Sequence, residues 1–345
     1  MPGTEEIVTT MSDRARGRAV ELLRNGSVSR VLGWERGEFC YDQTPAFFDS
    51  ESELDKFVYD GFSSPMLSKY LINATKKTKP EKNAENAKIL VFLKPCDTYG
   101  LNLLVKERRV EREGVYAVGV GCFGMFDIDK IRAKGVKNVQ SIEENGPNSD
   151  SVVVKTPTGG QTLARREILF EKCLSCKGGE FMIQDEILGP EVQPLASGDR
   201  FERVAALEAM SPEERFAFWR GELSRCIRCN ACRNACPVCS CTTCVFDNPR
   251  SGVFSKASAD SFEENMFHII RAFHVAGRCS DCGECSRVCP QHIPLHLLNR
   301  KFIRDINVFY GEFQAGADID AKAPLTDYKF GDVEPGAVGV RGGCA

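Results

Sequence analysis

Histidine is scarce in this chain, with 4 residues in 345. Chemistry built on imidazole therefore has few positions to use, and no spacing groups the four into a metal site. Positive charge is not in excess either. Lys plus Arg number 45 against 48 Asp plus Glu, a net charge of −3, which leaves no basic field for nucleic acid. No run approaches the roughly eighteen consecutive apolar residues of a membrane helix. The opening MPGTEEIVTTMSDRARGRAVELL is polar and acidic, without a basic stretch leading into an apolar one, which predicts no signal peptide. These absences predict a soluble, cytoplasmic chain. No general base, nucleophile or open metal site stands out.

What the chain has instead is cysteine: 17 in all, seven of them in RCIRCNACRNACPVCSCTTC, residues 225–244. In a reducing compartment such clustering points to metal or redox chemistry rather than structural disulfides.

The length fits two domains. In the first, RARGRAVELLRNG has a helical pattern ending at Gly26, VSRVLGW and GEFCYDQ have strand character, and SSPMLSKYLINATKK has apolar residues at helical spacing. KILVFLK (88–94) and VYAVGVG (115–121) are continuous apolar runs of buried-strand type, separated by the helical PCDTYGLNLLVKERR. A short helix in DIDKIRAKG and a strand in SVVVKT follow. The alternation predicts an α/β domain with a largely parallel sheet over 1–186. Residues 187–210 have linker composition. A capping box then opens a helix, with Ser211 at the N-cap, Pro212 at the first helical position and Glu214 completing the box. SFEENMFHIIRAFHVAG is an amphipathic helix between the two cysteine runs. A mostly helical dicluster ferredoxin domain is expected over 211–312. Residues 313–345, rich in Gly, Ala and Asp, are expected to form a poorly ordered or partner-docking tail.

The cysteine runs are an internal repeat. Cys226, Cys229, Cys232 and Cys236 precede Pro237 in C-x2-C-x2-C-x3-C-P, and Cys279, Cys282, Cys285 and Cys289 precede Pro290 in the same pattern. This is the two-cluster ferredoxin signature, in which the fourth cysteine of each run serves the other cluster. One site is therefore expected at Cys226, Cys229, Cys232 and Cys289, and the other at Cys279, Cys282, Cys285 and Cys236. Three thiolates on a tight loop reach three irons, and the backbone N–H groups of such a loop can point at sulfur. Zinc ribbons use separated C-x2-C pairs instead. Cys239, Cys241 and Cys244 are left open between extra ligands, redox thiols and small buried residues.

Four more cysteines occupy the α/β region: Cys96, Cys122, Cys173 and Cys176. The first two follow buried strands at the edge where ligands gather in parallel sheets. Four thiolates would serve one more cubane; two buried thiols plus an unrelated C-x2-C is the alternative. Around Cys122, GVGCFG places Gly119, Gly121 and Gly124 in a literal G-x-G-x-x-G, with Glu143 and Glu144 about twenty residues on, as a nicotinamide site asks. A glycine-rich turn passing close to a cluster explains the same residues. Lys94 and Asp97 flank Cys96, either to touch a flavin or cluster or as a solvated pair.

RCIRCNACRNACPVCSCTTCVFD and CSDCGECSRVCPQHIP resemble the family of iron–sulfur proteins that includes those of anaerobic sulfite reductase and of sulfhydrogenase, the latter its beta chain. LKPCD, GCFGMFD and CLSC resemble, in order, the cysteine blocks of the beta subunits of deazaflavin-reducing hydrogenases and related formate dehydrogenases. The likeness spans most of residues 20–305. It implies a third 4Fe–4S cluster at Cys96, Cys122, Cys173 and Cys176, and an FAD beside it whose contacts are not legible here. The expected function is an electron-transfer iron–sulfur subunit, flavin-containing, of an anaerobic complex of hydrogenase, formate dehydrogenase, heterodisulfide-reductase-like or sulfite reductase type. Two alternatives stand beside it: a subunit with its own FAD acting on a deazaflavin or NAD(P)H, and a non-redox iron–sulfur scaffold.

Overall fold

The computed structural model describes residues 10–75, 88–144, 149–177, 179–189, 199–248, 250 and 261–326. The chain divides into two compact units, Met1–Arg200 and Phe201–Ala345.

The first unit is α/β. Helix α1 (Met11–Arg24) opens on a capping box between Thr10 and Asp13 and closes through Asn25 and Gly26, the latter in the left-handed region at φ 72°. Strand β1 (Val28–Arg36) turns into β2 (Gln43–Phe48). The intervening GEFCYD is the turn rather than a strand, because the Gly37 N–H is taken by the Asp42 carbonyl at 2.6 Å and the Asp42 N–H by Phe39. The expected helix over 63–77 is shorter than its pattern. It is a 3₁₀ turn, Ser68–Tyr70, continued by α2 (Leu71–Ala74), while Ser63 and Pro65 are held by polar contacts to Gln43 and Lys94 at strand ends.

Strand β3 (Lys88–Leu93) leads into α3 (Pro95–Lys106), and β4 (Val115–Val120) follows. Further on come α4 (Ile128–Ala133), β5 (Ser141–Glu144), β6 (Ser151–Thr156), β7 (Gly159–Ala164), α5 (Arg165–Ile168), α6 (Glu171–Leu174) and β8 (Glu186–Leu188). The main sheet has the order β2-β1-β3-β4-β8; only the β1–β2 pair is antiparallel. Ile89 to Leu93 are all buried, as a parallel strand covered on both faces requires. The SVVVKT strand, β6, does not join this sheet. It is the centre of a separate antiparallel β5-β6-β7 sheet, since the few residues between it and each neighbour are too short a span for the crossover that parallel pairing needs.

The second unit is helical. The segment 187–210, linker-like in composition, is structured at both ends. It starts inside β8 and carries α7 (Glu202–Glu208). Helix α8 (Pro212–Leu223) has the capping box of its sequence: Ser211 Oγ accepts from Glu214 N, and the Glu214 carboxylate accepts from Ser211 N at 2.9 Å. The remaining helices are α9 (Ala231–Asn234), α10 (Ser261–Val275), α11 (Glu284–Arg287) and α12 (Leu295–Tyr310). Leu223, Phe246, Phe267, Ile293 and Leu295 form a core in which Cys232 and Cys285 are also buried. The stretch expected as a tail takes a defined path at its start, with Ala315 buried and Leu325 against Gly277; residues 327–345 lie outside the described residues. No described helix is long and apolar enough to cross a membrane.

Replacing Ser211 with Ala removes the acceptor for the Glu214 N–H and half of the box. The expected cost is about 1 kcal/mol, read as a lower midpoint in urea unfolding followed by far-ultraviolet circular dichroism.

Candidate functional site

The repeat in the cysteine runs is also a repeat of backbone shape. Two residues after the first cysteine of each run, Arg228 and Asp281 take φ 55° and 56°. Four residues after it, Asn230 and Gly283 take φ 62° and 66°. Each loop then enters one turn of helix, α9 or α11, carrying the third cysteine. Asn and Gly visit the left-handed region at small cost; Arg and Asp do so where surroundings hold them. Asp281 is held by a buried ion pair with Arg300 on α12, 2.8 Å apart.

The curl turns backbone N–H groups inward. Arg228 N lies 3.4 Å from Cys226 Sγ, and Asp281 N hydrogen-bonds the equivalent Cys279. The same step of two recurs at Cys282 with Glu284 and at Cys236 with Val238.

The loops line two cavities. One is lined by Cys226, Cys229, Cys232 and Cys289. The other is lined by Cys279, Cys282, Cys285 and Cys236. Each cavity thus takes three cysteines from one run and the fourth from the other. Among the described residues, no three His, Cys, Asp or Glu side chains converge to hold a single metal ion. One tetrahedral zinc needs such convergence, whereas a cubane takes each thiolate on a different iron.

Burial dominates the electrostatics. It pushes the Cys232 and Cys279 thiols up to about 12 and raises Cys282 and Cys285. Cys236 differs: a hydrogen bond from Cys239 draws its thiol down to about 5. Protons on the raised thiols are what a metal cation displaces when it binds.

Three polar contacts from helices to these cysteines carry no signature in the cysteine spacing. His268 Nε2 sits 3.2 Å from Cys226 Sγ, Asn299 Nδ2 donates to Cys285 Sγ at 3.8 Å, and Arg271 Nη2 donates to the Cys232 carbonyl at 3.2 Å. The signal available was polar residues on an apolar face. Phe267, His268, Arg271, Ala272 and Val275 share the buried side of α10. Cys244 is half-buried against the core, Cys239 lies beside Cys236 and Cys241 is exposed.

In the first unit, Cys96 begins α3 where β3 ends, and Cys122 follows β4. Cys173 is in α6, with Cys176 just beyond. The four interact electrostatically: Cys96 with Cys176, Cys122 with Cys96 and Cys173. Burial raises Cys96 to about 11, with the Cys176 charge adding to it and Lys172 and Lys94 opposing it. Backbone N–H groups again reach sulfur, Met125 N to Cys173 at 3.4 Å and Gly124 to Cys122.

Lys94 and Asp97 are not a solvated pair. Lys94 is buried, its Nζ donating to the Ser63 and Pro65 carbonyls at 2.5 and 2.8 Å and lying 4.3 Å over the Trp34 ring. Asp97 accepts from Leu67 N and Ser68 N. Together they pin the 63–68 segment over the sheet edge. Gly119 is in β4, where a Cβ would come within 2.8 Å of the Phe181 ring, and Gly124 has φ 88°. No helix starts at this turn; α4 begins at Ile128 behind its Asp127 cap. The glycines therefore serve close packing and a turn around Cys122, and Glu143 and Glu144 are exposed in β5.

A family model described as a 4Fe-4S dicluster domain matches residues 222–293. The chain is 24% identical over 337 residues to the F420-dependent formate dehydrogenase subunit beta of Methanocaldococcus jannaschii, covering 79% of this chain and 84% of that protein. It is 23% identical over 283 residues to the F420-dependent formate dehydrogenase 1 subunit beta of Methanococcus maripaludis, covering 65% of this chain and 71% of that protein. A solved structure of the F420-reducing NiFe hydrogenase complex from Methanosarcina barkeri matches with a TM-score of 0.37 and 15% identity, over 48% of this chain and 58% of that one. The helical unit therefore carries a 4Fe–4S dicluster domain.

Substituting Asp97 with Ala leaves the Leu67 and Ser68 N–H groups without their buried acceptor. A loss of about 1–3 kcal/mol is expected in urea unfolding, with the 63–68 segment exchanging amide hydrogens faster.

Proposed function

We propose that this chain is the iron–sulfur, electron-transfer subunit of a multi-subunit oxidoreductase of the formate dehydrogenase or hydrogenase class. The observation that carries the reading is the pair of cavities, each ringed by four cysteines with the fourth exchanged between runs. The names of the relatives support the class of partner. For a sulfite reductase partner only the cysteine-run resemblance speaks, and for a heterodisulfide-reductase-like partner no resemblance does.

Cys226, Cys229, Cys232 and Cys289 would hold one 4Fe–4S cluster and Cys236, Cys279, Cys282 and Cys285 a second. Cys96, Cys122, Cys173 and Cys176 would hold a third. When bound, such cubanes accept and release single electrons. The chain's own part is to exclude water, to aim N–H groups at sulfur and to set cations near the thiolates. Cys229 and Ile227, on the loop that lines the first cavity, are exposed.

The F420-dependent relatives favour one second reading, in which the α/β unit binds FAD and exchanges electrons with a deazaflavin. The positions named for a flavin or nucleotide are taken by the fold: Lys94 and Asp97 by backbone groups, Gly119 by Phe181. No step is assigned to a flavin, and NAD(P)H is the weaker substrate on the same ground.

Anaerobically purified protein is expected to hold about twelve irons per chain, three cubanes of four. A count near eight removes the α/β cluster, and zinc in place of iron removes the reading. A flavin assay on the same material decides the second reading, and clusters that dithionite cannot reduce would leave only a scaffold. Cys236→Ala is expected to cost the cluster of the second run, about four irons, while Cys226, Cys229, Cys232 and Cys289 keep theirs. Iron counting with electron paramagnetic resonance checks which signal disappears.

A further inference from the structure

Among the described residues of the inter-run helix, Arg271 is the one that touches the surroundings of both cavities. It lies on the buried face of α10, 4% exposed. Toward the first cavity, its Nη2 donates to the Cys232 carbonyl at 3.2 Å. Toward the second, it hydrogen-bonds Cys285 and interacts electrostatically with Cys236. Its Nε has no hydrogen-bond partner among the described residues. The sulfur groups that act on it are Cys285 and Cys236 of the second set, Cys232 of the first, and Cys239, which belongs to neither. A buried guanidinium is costly unless opposite charge compensates it. Here the compensating charge is sulfur.

The neighbouring donors are private by contrast. His268 reaches Cys226 of the first set, and Asn299 reaches Cys285 of the second. Helix α10 therefore brings one contact for the first cavity and one shared charge, and α12 brings a contact for the second.

We propose that Arg271 is a potential-setting residue held in common by the two clusters of the helical unit, with His268 and Asn299 offsetting the two potentials individually. The inference rests on the iron–sulfur reading of the two cavities. Reduction adds one electron to a cubane and makes the site one charge more negative, with no bond formed or broken. A fixed cation close by stabilises that state and raises the reduction potential. A cation shared between two sites raises both. A hydrogen bond to one ligand sulfur raises only its own cluster. Arg271 acts through the ligand cysteines and their backbone, so it is a positioning and electrostatic residue, not a ligand.

The test uses the full chain, purified anaerobically, with dithionite titrations followed by electron paramagnetic resonance and an iron count for each variant. Arg271→Met is expected to keep its iron and to shift both midpoint potentials to more negative values. Arg271→Lys, which keeps the charge, is expected to shift them less. His268→Phe is expected to lower one potential and Asn299→Leu the other. A shift confined to one cluster in Arg271→Met, or potentials unchanged with full iron, overturns the inference. If Arg271→Met loses iron, Arg271→Gln removes the charge while keeping N–H donors and takes its place in the titration. Loss of clusters in Met, Gln and Lys variants alike assigns Arg271 to folding and also overturns it. Wild-type protein without iron would instead sink the iron–sulfur reading itself, a distinct result from unshifted potentials in loaded protein.

Discussion

Concentrating sulfur in a dry interior is the constraint on which both units are built. Thiolates gathered at four positions repel one another, and burial raises the pKa of most of them. At five of these cysteines the fold answers with the same device: a backbone N–H two residues beyond the cysteine, turned toward its sulfur. It recurs at Cys226, Cys279, Cys282, Cys236 and Cys122, in the two repeated loops of the helical unit and in a different loop of the α/β unit. Main-chain dipoles suit this task because they add no net charge of their own. Where dipoles are not enough, single buried cations appear, Arg271 in the helical unit and Lys94 in the α/β unit.

Those two cations are placed differently. Lys94 is anchored by the Ser63 and Pro65 carbonyls and by Trp34, and its charge reaches Cys96 and Cys122 from behind the sheet edge. It fixes the 63–68 segment and opposes sulfur charge at once. Asp97, one turn away, keeps it from being an isolated charge. The helical unit divides the labour further, with the Arg300–Asp281 pair holding one left-handed turn while Arg271 faces both cavities.

Much of this was legible in the sequence because it is local. The capping box at Ser211, the continuous apolar run of β3 and the spacing of the two cysteine runs are each written in adjacent residues, and the structure has all three. The failures were non-local. GEFCYD has the alternation of a strand but closes a turn through Gly37 and Asp42. SVVVKT is a strand, yet its partners are two neighbours by hairpin rather than the parallel sheet. For Lys94 and Asp97 the sequence leaves a flavin or cluster contact and a solvated pair both open, because nothing adjacent says that Ser63, Pro65, Leu67 and Ser68 return to meet them. His268, Arg271 and Asn299 were missed for the same reason, since cysteine spacing carries no information about the helices that cover it.

The exchange of fourth cysteines has a bearing on how the helical unit comes to exist. Cys236 and Cys289 each sit in the cavity of the opposite run, so neither pocket can be completed by its own short loop. The polypeptide between the runs has to make its excursion and come home before either ring of sulfur closes. Closing such a span costs chain entropy that grows only slowly with its length, while the two rings then latch the same span twice. Both pockets thereby depend on one and the same return of the chain, so that closing the span for either brings the cysteines of the other into place as well.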